Sequence, residues 1–141
     1  MRTRLYKNKE QIFCEWRRRW VRLTPEEWVR QQLLHRLVEQ FGYPASLIAV
    51  EVPLSITSPL NKKQYRADVI VYNNTMTPIM LIECKAETVP LTQKTLDQAA
   101  TYNRLLHVPY LILHNGPQTI IAHIDDNSIQ FAQSIPQYSQ L

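Results

Sequence analysis

Ile79-Met80-Leu81-Ile82-Glu83-Cys84-Lys85 is an apolar run that closes on an acid, one intervening residue and a lysine. Its length and its Pro78 boundary give it the character of a buried strand. Working back along the chain, Asn73-Asn74-Thr75-Met76-Thr77-Pro78 has the composition of a turn. The segment before it, Arg66 to Tyr72, is a second strand with Asp68 at its start. If these two strands form an antiparallel hairpin about Thr75, Asp68 falls opposite Glu83, with Cβ atoms about 5 Å apart. Glu83 and Lys85 are two residues apart and share a face. All three functional groups then converge at one end of a sheet.

Further out, Thr24, Pro25 and Glu27 punctuate the start of a helix as N-cap, first helical residue and capping-box partner. Val29, Leu33, Leu37 and Phe41 form its apolar stripe, and Gly42 and Pro44 its stop. Ile48 to Ile56 alternates apolar residues around Pro53, as an edge or bulged strand does. Beyond the Glu83 strand, a second helix is expected from about Thr92 to Leu106. A strand buried on both faces follows over Pro109 to His114, then a turn at Asn115-Gly116-Pro117. Gln118 to Ile124 and Ser128 to Phe131 are expected to form a hairpin about Asp125-Asp126-Asn127. The order is helix, three strands, helix, strand, hairpin, which is an α/β or α+β fold with helices on a mixed sheet. A single domain over 1–141 is expected, with its core over about 23–116. An Arg- and Trp-rich lead-in precedes that core, and a loose polar tail over 133–141 ends the chain.

Composition narrows the function. At 141 residues and 45% hydrophobic content the chain can bury a core. Its net charge of +4 permits an anionic partner without demanding one. Gly42 and Gly116 are the only glycines, so no Gly-rich phosphate loop and no nucleotide-driven motor is encoded here. No apolar run is long enough to cross a bilayer, and Met1 to Lys9 is polar and basic. The expected setting is the cytoplasm, with Cys14 and Cys84 as free thiols. His35, His107, His114 and His123 have no zinc-ligand spacing.

Two opposed carboxylates repel, and a divalent cation removes that penalty. Hard oxygen ligands suit Mg²⁺ or Mn²⁺, and the Cys84 carbonyl lies between the two side chains in sequence as a further oxygen donor. With a metal polarising a phosphoryl oxygen, Lys85 could orient water or stabilise transition-state charge, as phosphodiester hydrolysis requires. The plainer alternative is an ion pair of Asp68 or Glu83 with Lys85 at a strand end, and the residues alone leave both open. Alternation turns the Cys84 thiol to the opposite face, where it is a buried, inert group. Trp16 to Arg22 mixes cations and rings as nucleic-acid binders do, but a strand with Trp on the core and Arg in solvent is the preferred reading. Arg66 is placed to hold a phosphate or to pair with a carboxylate.

Three stretches carry a resemblance: Tyr65-Arg66-Ala67-Asp68-Val69-Ile70-Val71-Tyr72, Leu81-Ile82-Glu83-Cys84-Lys85 and Gln98-Ala99-Ala100-Thr101-Tyr102. With Leu23 to Gln31 and Val108 to Gly116, they make the chain resemble the PD-(D/E)XK nuclease superfamily, and within it the N-terminal nuclease domain of type I restriction enzyme R subunits. The resemblance implies a restriction-endonuclease-like core, metal binding by Asp68 and Glu83, and a catalytic role for Lys85. It makes Gln98 and Tyr102 accessory residues, four apart on one helix face. Glu39 is a further candidate acid, since related nucleases often place one late in the first helix. Ala67 stands where the superfamily's naming proline would be. The implied activity is metal-dependent hydrolysis of DNA, with a second copy or a partner subunit for double-strand cutting. A non-catalytic module that binds nucleic acid or protein and an RNA-directed relative are the alternatives.

Overall fold

A computed structural model describes residues 1–57, 62–126 and 128–141. Nine strands and two helices follow in the order β1 (Thr3–Tyr6), β2 (Lys9–Cys14), β3 (Arg19–Arg22), α1 (Pro25–Glu39), β4 (Ile48–Thr57), β5 (Lys62–Tyr72), β6 (Pro78–Cys84), α2 (Gln93–Leu106), β7 (Tyr110–His114), β8 (Thr119–Asp125) and β9 (Ser128–Ala132). β4 to β9 form one six-stranded sheet in chain order. Every pairing in it is antiparallel except β6 with β7, whose parallel crossover runs through α2. This is the mixed sheet with helices expected from the strand and helix order.

Residues alternate along the central strands between two cores. Val69, Val71, Ile82, Cys84 and Ile112 pack with Val29, Leu33, Leu34 and Leu37 of α1. Ile70, Leu81, Leu111 and Leu113 pack with Ala99 of α2. β7 is buried on both faces, as its unbroken apolar run requires. β4 is an edge strand, which tolerates Pro53 because one side of the strand has no ladder to complete.

The helix boundaries have local causes. The Thr24 side chain accepts a bond from the Glu27 N–H at 3.0 Å, a cap that contributes about 1 kcal/mol. Only half of the expected capping box forms, because the Glu27 carboxylate turns away to Arg17, Arg30 and Gln31. Past α1, Gly42 takes a left-handed φ of +71°, and the Tyr43 N–H bonds back to the Leu37 carbonyl at 3.0 Å. α2 ends on His107, also left-handed, and Asn103 clamps the exit by bonding both the N–H and the C=O of Val108.

At the termini one expectation is extended and one is corrected. The lead-in is a three-stranded antiparallel sheet, β1-β2-β3, that buries Ile12 and Cys14. Trp16 covers the core, donating to the Ala45 carbonyl and meeting His35 edge to face. The tail is docked, not loose. Ile135 is buried in the α1-side core, and Tyr43 Oη donates to the Pro136 carbonyl at 3.0 Å. Tyr138 bonds Phe41 through its N–H and the Tyr72 carbonyl through its hydroxyl. The β8–β9 hairpin forms as expected, although Asn127 in its turn lies outside the described residues.

Candidate active site

β5 and β6 pair with Val69 opposite Ile82 and Ile70 opposite Leu81. Continued by one residue, that register sets Asp68 opposite Glu83. Asp68 and Glu83 are each only 8% exposed as whole residues. Asp68 Oδ2 accepts the backbone N–H of Cys84 at 2.7 Å, which ties the first acid to the strand bearing the second.

Asp68 reaches this position through an irregularity in the sheet. β4 and β5 pair at Val50 with Val69 and at Val52 with Ala67. Glu51, between those pairs, has a left-handed φ of +56°. Strand alternation breaks at the same level, since Ala67 packs with Ile70 in the α2-side core while Val69 and Val71 face α1. A non-glycine residue at positive φ is uncommon in a strand and is a mark of local constraint. Here it brings the Glu51 carboxylate to the Asp68 end of the sheet.

Arg30 of α1 occupies the space between them. Its Nη1 bonds Glu51 and lies 3.4 Å from Asp68 Oδ1, while Nε and Nη2 bond Glu27 at 3.2 and 3.1 Å. Glu27 also accepts from Arg17 Nη2 at 2.6 Å. A chain of buried charge therefore runs from the β2–β3 connection, through α1, to Asp68. Burial works against the charged form of Arg30, but the carboxylates of Glu27, Asp68 and Glu51 outweigh it and raise its pKa.

Glu83 lacks such a partner. Its Oε1 is buried without a hydrogen-bond partner. Desolvation, followed by the charge of Asp68, pushes its pKa up to about 9. Desolvation also raises Asp68, against the opposing pull of the Cys84 N–H and of Arg30. Glu26, in the first turn of α1, is raised by burial and then by Asp68, with Lys85 pulling the other way. Glu83 and Lys85 line a small cavity of about 20 Å³ with Thr95, Gln98, Ala99 and Tyr102. That volume is about the size of one water. The Lys85 N–H donates to His114 O at 2.8 Å, extending the β6–β7 ladder past the acid.

The geometry thus gathers Asp68, Glu83, Lys85, Gln98 and Tyr102 at one end of the sheet. Tyr102 meets Tyr65 edge to face, with centroids 4.9 Å apart. The Cys84 thiol faces the α1-side core and is fully buried. Arg66 is exposed and approaches Glu51 at 3.5 Å, so it sits beside a carboxylate and in solvent. Glu39 is not brought to the site. It lies nine residues beyond Arg30, about 14 Å along the helix axis, and lines a separate cavity with His35, Arg36 and Glu87. The α1 residues that do approach are Glu26, Glu27 and Arg30. Arg30 was detectable in sequence as a charge on the apolar stripe, three and four residues before Leu33 and Leu34. Glu51 carried no signal beyond its place in an alternating strand next to Pro53.

A divalent cation fits this donor set in a limited way. Among the described residues, no three His, Cys, Asp or Glu side chains cluster closely enough to hold an ion by themselves. Asp68 and the orphaned Glu83 oxygen provide two hard ligands, which leaves the remaining positions to backbone oxygen and water. Mg²⁺ commonly accepts such a site.

A family model described as "Type I restriction enzyme R protein N terminus (HSDR_N)" matches residues 25–136. The chain belongs to this family. A solved fragment of an HsdR subunit of a type I restriction enzyme from Vibrio vulnificus YJ016 has a similar fold, with a TM-score of 0.60 at 20% identity. The likeness covers 82% of this chain and 24% of that one, so the chain spans about a quarter of the protein it resembles. No curated protein matches. Within the HSDR_N match lie α1, the whole six-stranded sheet and every residue of the Asp68–Glu83–Lys85 cluster, while β1 to β3 precede it. Among the described residues, no helix is long and apolar enough to cross a membrane.

Proposed function

We propose that the chain is a metal-dependent nuclease domain that hydrolyses DNA phosphodiesters, working in the cytoplasm with Mg²⁺ or Mn²⁺. The observation that carries this reading is the orphaned Glu83 oxygen. A buried carboxylate facing a second carboxylate, with one oxygen unpartnered, is costly unless a proton or a cation completes it. Asp68, Glu83 and the Cys84 carbonyl would hold the cation. When bound, it supplies positive charge to a phosphoryl oxygen and lowers the pKa of nearby water.

The remaining steps belong to the chain's own groups. Lys85 reaches the site from the end of β6, where its ammonium can orient the attacking water and stabilise charge growing on phosphorus. Gln98 and Tyr102, one α2 turn apart, line the approach over Glu83 and position the scissile phosphate. Arg30 fixes Asp68 and keeps Glu51 engaged. Double-strand cutting would need a second copy or a partner subunit, since the cluster provides one site.

One observation favours the non-catalytic alternative. Arg30 already gives Asp68 and Glu51 a shared cationic partner from within the chain, as it would in a fold kept for binding nucleic acid or protein. The two readings separate on matched DNA and RNA duplexes incubated with Mg²⁺, with Mn²⁺ and with chelator, alongside calorimetric titration of each metal. The nuclease reading predicts saturable metal binding and metal-dependent loss of the DNA. Folded protein that binds neither ion and leaves both duplexes intact supports the binding module. Preferential loss of the RNA reassigns the substrate.

A further inference from the structure

Charge is divided unevenly along the chain. Residues 1–22 hold eight Lys and Arg against two Asp and Glu, a net +6, whereas 23–141 hold eight against ten, a net −2. The structure concentrates that excess further, because β1 to β3 form a small sheet whose two faces differ. Tyr6 pairs with Lys9, Arg4 with Gln11, Gln11 with Arg22, and Phe13 with Trp20. Directly opposed residues share a face, so these side chains all lie on one side. The other side carries Ile12, Cys14 and Val21, with Ile12 and Cys14 buried.

The outward side bears Arg4, Lys9 and Arg22, with Arg2 adjoining over Phe13, and no carboxylate. Of the segment's two acids one lies on the other side and one at the edge near Arg2. Glu10 points to the opposite face, and Glu15, in the β2–β3 connection, lines a cavity with Arg2 and Phe13 at the edge of the sheet, away from the Arg4–Gln11–Arg22 row. The arginines there are held by rings instead of by acids. The Arg2 guanidinium lies 4.2 Å from the Phe13 centroid. That of Arg4 lies 4.2 Å from Trp20 and 4.9 Å from Tyr6, and its Nε donates to Gln11 at 2.8 Å. Among the described residues, none of Arg2, Arg4, Lys9 and Arg22 forms a salt bridge. Stacking fixes the plane of a guanidinium without cancelling its charge and leaves most of its five N–H donors free.

We infer that the outward face of β1 to β3 is a docking surface for the phosphate backbone of duplex DNA, separate from the Asp68–Glu83 cluster. It rests on the nucleic-acid reading above for the identity of the polyanion. Phosphate contacts of this kind give affinity and register without reading sequence. The Arg4–Gln11–Arg22 row crosses three strands spaced about 4.8 Å apart, so it presents cations over about 10 Å of surface. A lipid surface is less well matched, because exposed Leu5 lies on the opposite face and adds no apolar contact.

The test measures binding of the full chain to two short fluorescent duplexes of unrelated sequence, in chelator, over a range of salt. Wild type is compared with the R4Q/K9Q/R22Q triple variant, with R4K/R22K, and with Lys9→Gln alone. Lys9 is in no cation–π pair or salt bridge among the described residues, so that single variant serves if the triple variant fails to fold. The triple variant should bind both duplexes roughly tenfold or more weakly, with a log–log salt slope flatter by about 3. Lys9→Gln should flatten the slope by about 1, and R4K/R22K should retain it. Unchanged affinity and slope in folded variants overturn the inference. So does wild type binding poly-glutamate, or vesicles of anionic lipid, more tightly than DNA. The two proposals fail separately. Metal-dependent cleavage with binding insensitive to these substitutions removes only the docking face. Salt-sensitive binding that the triple variant loses, without cleavage, removes only the nuclease.

Discussion

The Asp68 end of the sheet and the outward face of β1 to β3 handle charge in opposite ways. At the first, carboxylates from three neighbouring strands, Glu51, Asp68 and Glu83, are drawn out of water with one guanidinium among them, and one Glu83 oxygen is left without a partner. At the second, four cations lie in solvent, and among the described residues none of them is in a salt bridge. Burying like charges costs free energy that only a counter-charge or a proton removes. Exposing like charges costs little, because water and salt screen them. The first region is therefore expected to respond to pH and to small cations, and the second to ionic strength. The difference follows from position. Asp68 and Glu83 lie between two cores on central strands, whereas β1 to β3 have a buried side of only a few residues.

The largest effect expected from disturbing this contrast is on chemistry. Glu83→Gln keeps the shape and removes the anion, so cleavage should fall by about 10²-fold or more while the fold persists. Activity near the wild-type rate in that variant would show that the buried acid has no part in the reaction. Next comes stability. Arg30→Met leaves Glu27, Glu51 and Asp68 without their shared cation and should cost about 3–5 kcal/mol in denaturant unfolding. A loss similar to that of an ordinary surface substitution would mean that the charge chain from Arg17 to Asp68 contributes little.

A smaller effect is expected from pH. The folded-state pKa of Glu83 lies near 9, above its ordinary value of 4.5, so the folded chain retains a proton that the unfolded chain releases. Its contribution is fully present below about pH 4.5 and is lost as pH rises toward 9, so metal-free protein should melt at falling temperature across that window. Glu83→Gln should flatten the fall, and Mg²⁺ should make it shallower by replacing the proton. A melting temperature independent of pH in metal-free wild type would contradict the shift. The smallest change belongs to Arg66→Ala. This exposed side chain only skirts Glu51, so unfolding free energy should move by no more than about 0.5 kcal/mol.

Which parts of this were legible in sequence follows from the same contrast. The placing of Asp68, Glu83 and Lys85 at one end of the sheet was legible because acids interrupt strongly apolar strands and the hairpin register sets the first two opposite each other. Gln98 and Tyr102 depended on resemblance, since a Gln and a Tyr on a helix are otherwise ordinary. Glu39 was misplaced because the direction of α1 relative to the sheet is a tertiary property. The helix offers its N-terminal half to the site, where Glu27 and Arg30 lie. The docked tail was hidden by composition, because its anchors Ile135 and Tyr138 stand among Gln, Ser and Pro without a period. β1 and β2 escaped for a related reason: only Ile12 and Cys14 of the segment are buried, too few to show a face.

The central claim is that Asp68, Glu83 and Lys85 form one metal-dependent cleavage site. The most direct measurement is conversion of supercoiled plasmid in Mg²⁺ or Mn²⁺ by wild type, Asp68→Ala and Lys85→Ala, each first shown to melt cooperatively. The account predicts nicking or linearisation by wild type that chelator stops and that both variants lose. An intact plasmid with folded wild type, or equal cutting by all three proteins, would contradict it.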